Sequence, residues 1–179
     1  MLRLSPVSIE GALAAVLVLL LSGCDTWPAD PRNSLAAAEE RGALRVGVVA
    51  NPPWVEVSST EINDPQAPAG LESELVKEFA AQLGLDVEWH GSGVEQQIDA
   101  LKNFELDLMI GGFSAANPWK AEVGQTFVYF SEPNQSGSLG DHVMLTAPGE
   151  NALLMALERY LFTRQDPDRY IPHLQEAAP

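Results

Sequence analysis

The residues of this 179-residue chain best placed to do chemistry gather near its middle: Gly112, Phe113, Ser114, Asn117, Trp119 and Lys120, with Trp54 upstream. Ser114 brings a hydroxyl, Lys120 a cation, and each indole a flat apolar face with a single N–H donor. The Asn117-Pro118 pair has the form of a helix start, with an N-cap residue followed by proline at the first helical position. The free N–H groups and dipole of such a start suit an anion or a polar ligand oxygen, while the indoles suit a flat or cationic group. These are the parts of a binding edge. The alternative is that both tryptophans pack on a sheet edge and Asn117 merely caps its helix.

Other chemistry has less support in the residues. His90, His142 and His173 are spread along the chain without metal spacing, so no metal is expected. Glu105 and Asp107 form a carboxylate pair, but both stand at the start of a buried strand, where a structural role is expected. Neither a Gly-x-Ser-x-Gly elbow nor a phosphate loop is present, so neither catalysis nor a cofactor is expected. A formal charge of −15 sets nucleic acid and the anionic membrane face aside as partners.

The amino terminus points to export. A single basic residue, Arg3, precedes an apolar run, Ala12 to Leu21, too short for a membrane span of ~20 residues, so residues 1–23 read as a signal peptide. The run ends in Leu21-Ser22-Gly23-Cys24, which resembles a bacterial lipobox and makes Cys24 the lipidated residue that anchors the chain to a membrane. Asp25 resembles an inner-membrane retention signal. The other readings are a secreted protein with a free thiol or an uncleaved anchor. Cys24 is the only cysteine, so no intrachain disulfide can form. Removing the leader leaves 156 residues, enough for one domain.

Elements that would position the edge follow in order. Residues 24–40 read as a polar tether and a brief helix opened by Ser34 and stopped by Gly42. Leu44 to Val49 reads as a strand, and Asn51-Pro52-Pro53-Trp54 turns outward at its carboxyl end. Leu71, Leu75, Val76, Phe79, Ala80 and Leu83 repeat at helical spacing up to Gly84. Leu85 to Trp89 alternates as a strand, and Val94, Ile98 and Leu101 mark a second helix. Leu106 to Ile110 is a buried strand followed by a loop, Gly111 to Ser114, the short helix at Asn117, and another strand from Thr126. Such alternation predicts a parallel sheet, with ligands outside the carboxyl ends of its strands.

Four stretches resemble the first lobe of the family 3 extracellular solute-binding proteins: RGALRVGV, NPPW, GLESELVKEFAAQLGLDVEW and ALKNFELDLMIGGFSAANPWKAEVGQTFVYF. The resemblance covers much of 41–130 and implies an α/β fold: one three-layer lobe of a type II periplasmic binding protein, with a mostly parallel sheet of about five strands. Beyond Phe130 the pattern changes. Residues 131–141 read as a linker in place of the second lobe. Residues 142–164 (within HVMLTAPGENALLMALERYL) look like the family's closing strand and helix, and 165–179 form a tail.

The resemblance implies a small-molecule solute, an ABC permease as partner, and a lipid-anchored periplasmic location. In amino-acid-binding members an arginine after the Ser/Thr loop grips the ligand carboxylate. Here that position is Trp119, with Lys120 adjacent and Ala116 where a threonine is usual. The solute expected is therefore not a standard α-amino acid. The alternative is a non-enzymatic interaction module whose open edge docks a membrane partner or a second lobe.

Overall fold

The computed structural model describes residues 30–57, 68–133 and 139–164. The expected signal peptide, the lipidation site Cys24 and the tail 165–179 lie outside the described residues. Within them the order is α1 (Ser34–Arg41), β1 (Ala43–Val48), α2 (Leu71–Leu83), β2 (Asp86–Gly91), α3 (Val94–Lys102), β3 (Leu108–Ser114), β4 (Gly124–Gln125), β5 (Phe130–Pro133), β6 (Leu139–Thr146) and α4 (Asn151–Thr163). The six strands form one sheet in the order β2-β1-β3-β6-β4, with β5 beside β6. β2 and β3 pair parallel to β1, whereas β6 is antiparallel to β3, β4 and β5. All strands but β6 therefore point one way, the mostly parallel lobe that the family resemblance implies.

Alternation along the strands separates two cores. Leu44, Val46, Val48, Leu108, Ile110 and Met144 face α1, α2 and α4, whose stripes include Ala38, Leu75, Phe79, Leu153 and Leu157. Met109, Val143 and Leu145 face the opposite way, onto Ile98 and Leu101 of α3. A sheet apolar on both faces must be covered on both, so the helices divide into two layers around it. Gly42 and Gly84 end α1 and α2 in the left-handed conformation, at φ 76° and 73°.

Three segments differ from the sequence expectation, each for a visible reason. The helix expected from Asn117-Pro118 is a series of turns. Asn117 Oδ1 accepts the Trp119 N–H at 3.1 Å, and Trp119 O accepts those of Glu122 and Val123 before β4 begins at Gly124, leaving no length for a helix. The strand expected from Thr126 is broken, because Phe127 N–H leaves the ladder for Glu158 Oε1 on α4 at 2.7 Å. The ladder resumes at Phe130. Third, strand pairing runs into both ends of the 131–141 segment read as a linker. Phe130↔His142 is followed by Ser131↔Asp141, Glu132↔Gly140 and Pro133↔Leu139, and Ser131 Oγ donates to Asp141 Oδ1 at 2.6 Å.

Candidate functional site

The carboxyl ends of β1 and β3 meet as expected, but the stretch Gly111 to Ser114 is strand rather than loop. Its pairing with β6 slips between Met109↔Leu145 and Phe113↔Val143, so a bulge sits at the glycines. Side chains from other elements satisfy the backbone freed by that bulge. Glu72 Oε2 accepts the N–H groups of Gly111 and Gly112 at 2.7 and 2.8 Å, and Asn51 Nδ2 donates to Gly111 O at 2.9 Å. Tyr129 Oη donates to Glu72 Oε1 at 2.5 Å.

Glu72 is 0% exposed. Burial pushes its pKa up, opposed by the Tyr129 hydroxyl and then by the Gly112 and Gly111 amides. Glu72 stands outside the apolar stripe that marks α2 in the sequence. Its signal was nevertheless present: Glu72 stands four residues before Val76 and seven before Phe79, inside the buried arc of α2.

The two tryptophans are not brought together. Trp54 is 4% exposed and stacks on His142, centroids 3.8 Å apart, with Phe130 at 5.5 Å. It belongs to the core on the α2 side of the sheet. Trp119 packs on the opposite face, edge-on to Phe113 at 6.2 Å, and its Nε1–H donates to Glu95 Oε2 at 3.3 Å. Residues two apart on a strand share a face, and neighbours oppose. Gly112, against Trp54, and Phe113, against Trp119, therefore divide the indoles between the layers.

Gly112 has φ 63°, and a Cβ there would lie 2.6 Å from both Trp54 Cδ1 and Asn51 Nδ2. Only glycine allows the indole so close to the strand. Asn117 is buried; its Nδ2 donates to Ser114 O at 2.9 Å and to Gln125 Oε1 at 3.1 Å. Its amide thus closes the turn after β3. α3 holds that turn from outside through the Glu95–Trp119 hydrogen bond and a Lys102–Glu122 ion pair. Ser114 and Lys120 remain exposed at the rim. Ser114 Oγ accepts the Ala116 N–H at 3.2 Å.

No cluster of three or more histidine, cysteine, aspartate or glutamate side chains able to hold a metal occurs among the described residues. Nor is any described helix long and apolar enough to cross a membrane. The edge presents a rim with a hydroxyl and an ammonium group, backed by hydrogen-bonded turns.

Known proteins share both the sequence pattern and this architecture. The membrane-bound lytic murein transglycosylase F of Vibrio cholerae serotype O1 is 33% identical over 120 residues, 65% of this chain and 21% of that protein. The chain thus spans about a fifth of the length of the curated relatives it matches. Among solved structures, the arginine-bound form of domain 1 from TmArgBP superposes with a TM-score of 0.60 at 23% identity, covering 71% of this chain and 97% of that one. A substrate-binding protein of an ABC uptake transporter from Streptococcus pneumoniae, with bound histidine, reaches 0.64 at 9% identity and covers 80% and 95% of the two chains. The profile of the bacterial extracellular solute-binding proteins, family 3, matches residues 44–169, from β1 past the end of α4. With sheet, helices and profile in agreement over the same span, the chain belongs to the family 3 bacterial extracellular solute-binding proteins.

Proposed function

We propose that this chain is a periplasmic solute-binding lobe, lipid-anchored through Cys24 at the inner membrane. It binds a small polar solute other than a standard α-amino acid for an ABC uptake system, without catalysis. The observation that carries the choice of solute is Trp119. It stands where the carboxylate-gripping arginine is expected, and its one donor is engaged by Glu95. Ser114 and Lys120 then make the polar contacts, and Trp54, Gly112, Phe113, Asn117 and Trp119 shape the edge behind them. The arginine-bound domain 1 of TmArgBP supports the idea that one lobe suffices as a binding unit.

Thermal-shift screening of the full chain against amino acids, amines and small organic anions tests the reading. A ligand at a hundred times its Kd stabilises by about 2.7 kcal/mol, a shift of several degrees at this size. Stabilisation by amines or organic anions but not by α-amino acids is expected. Stabilisation by arginine or histidine alone would overturn the choice of solute, and none at all would overturn direct binding.

A second reading, docking of a membrane partner or a second lobe, is favoured by β5. Among the described residues that strand pairs with β6 alone, off the main path of the sheet, a marginal place suited to strand-to-strand docking. Crosslinking at native concentration that yields only monomer would sink it.

A further inference from the structure

We propose that a cavity at the amino-terminal ends of β1 and β3, at the opposite end of the sheet from the solute edge, binds a phosphate group. The cavity has a volume of about 300 Å³ and is lined by Arg32, Ser34, Ala37, Arg45, Asn103 and Phe104.

Phe104 is the first observation. It follows Asn103 at the end of α3 and adopts φ 61°, the left-handed conformation that glycine ordinarily supplies after a helix. A bulky residue there is strained, so the position calls for an account. Its ring lines the cavity beneath the Arg32 guanidinium, 5.5 Å from the ring centroid, and its carbonyl accepts a hydrogen bond from Arg45 Nη2 at 2.9 Å. The strained backbone thus builds a platform for one arginine and a brace for the other.

Charge is the second observation. Arg45 is held by Asp107, at 2.6 Å to Oδ1 and 3.2 Å to Oδ2, and Arg41 reaches the same carboxylate. Among the described residues the Arg32 side chain has no hydrogen bond or ion pair, only its seat on the ring. Stacking on a ring leaves the in-plane N–H groups of a guanidinium pointing outward. Glu150 opposes from behind, accepting the backbone N–H groups of Arg32 and Ser34 at 2.7 Å each. Three guanidiniums stand here with three carboxylates, of Asp107, Glu150 and Asp30, a balanced set in a chain of formal charge −15. The Arg32 guanidinium, the Ser34 hydroxyl and the Asn103 side-chain amide line the cavity from different parts of the chain, and such donors suit the several oxygens of a phosphate group.

Two sources offer that chemistry, a free phosphate compound and a phospholipid headgroup; the second also rests on the lipid anchor proposed above. The test uses the full, isotope-labelled chain in detergent at low ionic strength. Inorganic phosphate is titrated in one arm and dihexanoylphosphatidylglycerol below its micelle concentration in the other, each against matched sodium chloride. Saturable amide shifts at Asn103 and Phe104 are expected in at least one arm, with about tenfold weaker binding in Arg32→Gln. Which arm saturates identifies the source. Phe104→Gly should raise the melting temperature while weakening phosphate binding. Shifts no larger than those from chloride, or binding unchanged in both variants, would overturn the proposal. None of these outcomes depends on whether the solute edge binds anything.

Discussion

Glu72 puts an ionisable group into the largely apolar buried face of α2, and the bulge at Gly111 and Gly112 is what it holds. Burial raises its folded pKa above that of the unfolded chain. Folding therefore favours the protonated form. That contribution is fully present below the ordinary glutamate value of about 4.3 and is lost as pH rises through the raised folded value. Urea midpoints measured against pH should fall across this window in the native chain and stay flatter in Glu72→Gln. Parallel curves would show that Glu72 does not titrate as argued. Gly112→Ala should cost about 2–3 kcal/mol, from the left-handed φ and the Trp54 contact together. Gly42→Ala, at φ 76° with nothing within 4 Å, should cost only about 1 kcal/mol, so equal losses in urea unfolding would contradict the close approach. At this scale the sequence showed which residues stand near the strand ends. It could not show that Trp54 and Trp119 lie on opposite faces, because that depends on strand parity through a bulge held by a glutamate on another helix.

The helices were legible as elements because their apolar spacing and terminal glycines are local signals. Their ends are joined by contacts that are not local. The residue before α1, Asn33, makes no side-chain cap, and neither does Glu150 before α4. Instead the two segments exchange carboxylates. Glu150 accepts from Arg32 and Ser34 at the start of α1, while Asp30 accepts from Asn151 and Ala152 at the start of α4, at 2.9 and 2.8 Å. An 8-residue helix is marginal alone, so α1 depends on this exchange. Glu150→Ala should lower stability by about 2 kcal/mol and Asp30→Ala by about 1 kcal/mol, the buried acceptor mattering more. Hydrogen exchange should show faster opening of the first turn of α1 in the former and of α4 in the latter. Loss of protection confined to α4 in Glu150→Ala would refute the exchange. Long-range carboxylates also explain the misplaced strand from Thr126. Glu158, on α4, opens the ladder at Phe127, and no residue near Phe127 announces it.

Across the whole molecule, the family resemblance implied a three-layer lobe with its sheet covered on both faces, and the two cores bear that out. The route after Phe130 was harder to read, because a Gly- and Ser-containing stretch looks like a linker whether or not its ends pair. Here they pair. β5 and β6 form a four-residue antiparallel register where a two-lobed binding protein would cross to its other half. Two-lobed proteins trap ligand by swinging one body against another about such crossings, a hinge motion that changes overall dimensions. Crossing strands paired into the lobe's own sheet are not free to serve as such a hinge. Small-angle scattering of the full chain should therefore give a radius of gyration that changes by less than about 0.5 Å when a stabilising solute is added, as for partners that bind with little backbone movement. Compaction of more than about 1 Å at constant molecular mass would mean that two bodies close on the ligand. Compaction with doubled mass would instead mean that a second copy supplies the other wall, returning the docking reading of β5 to the centre of the binding event.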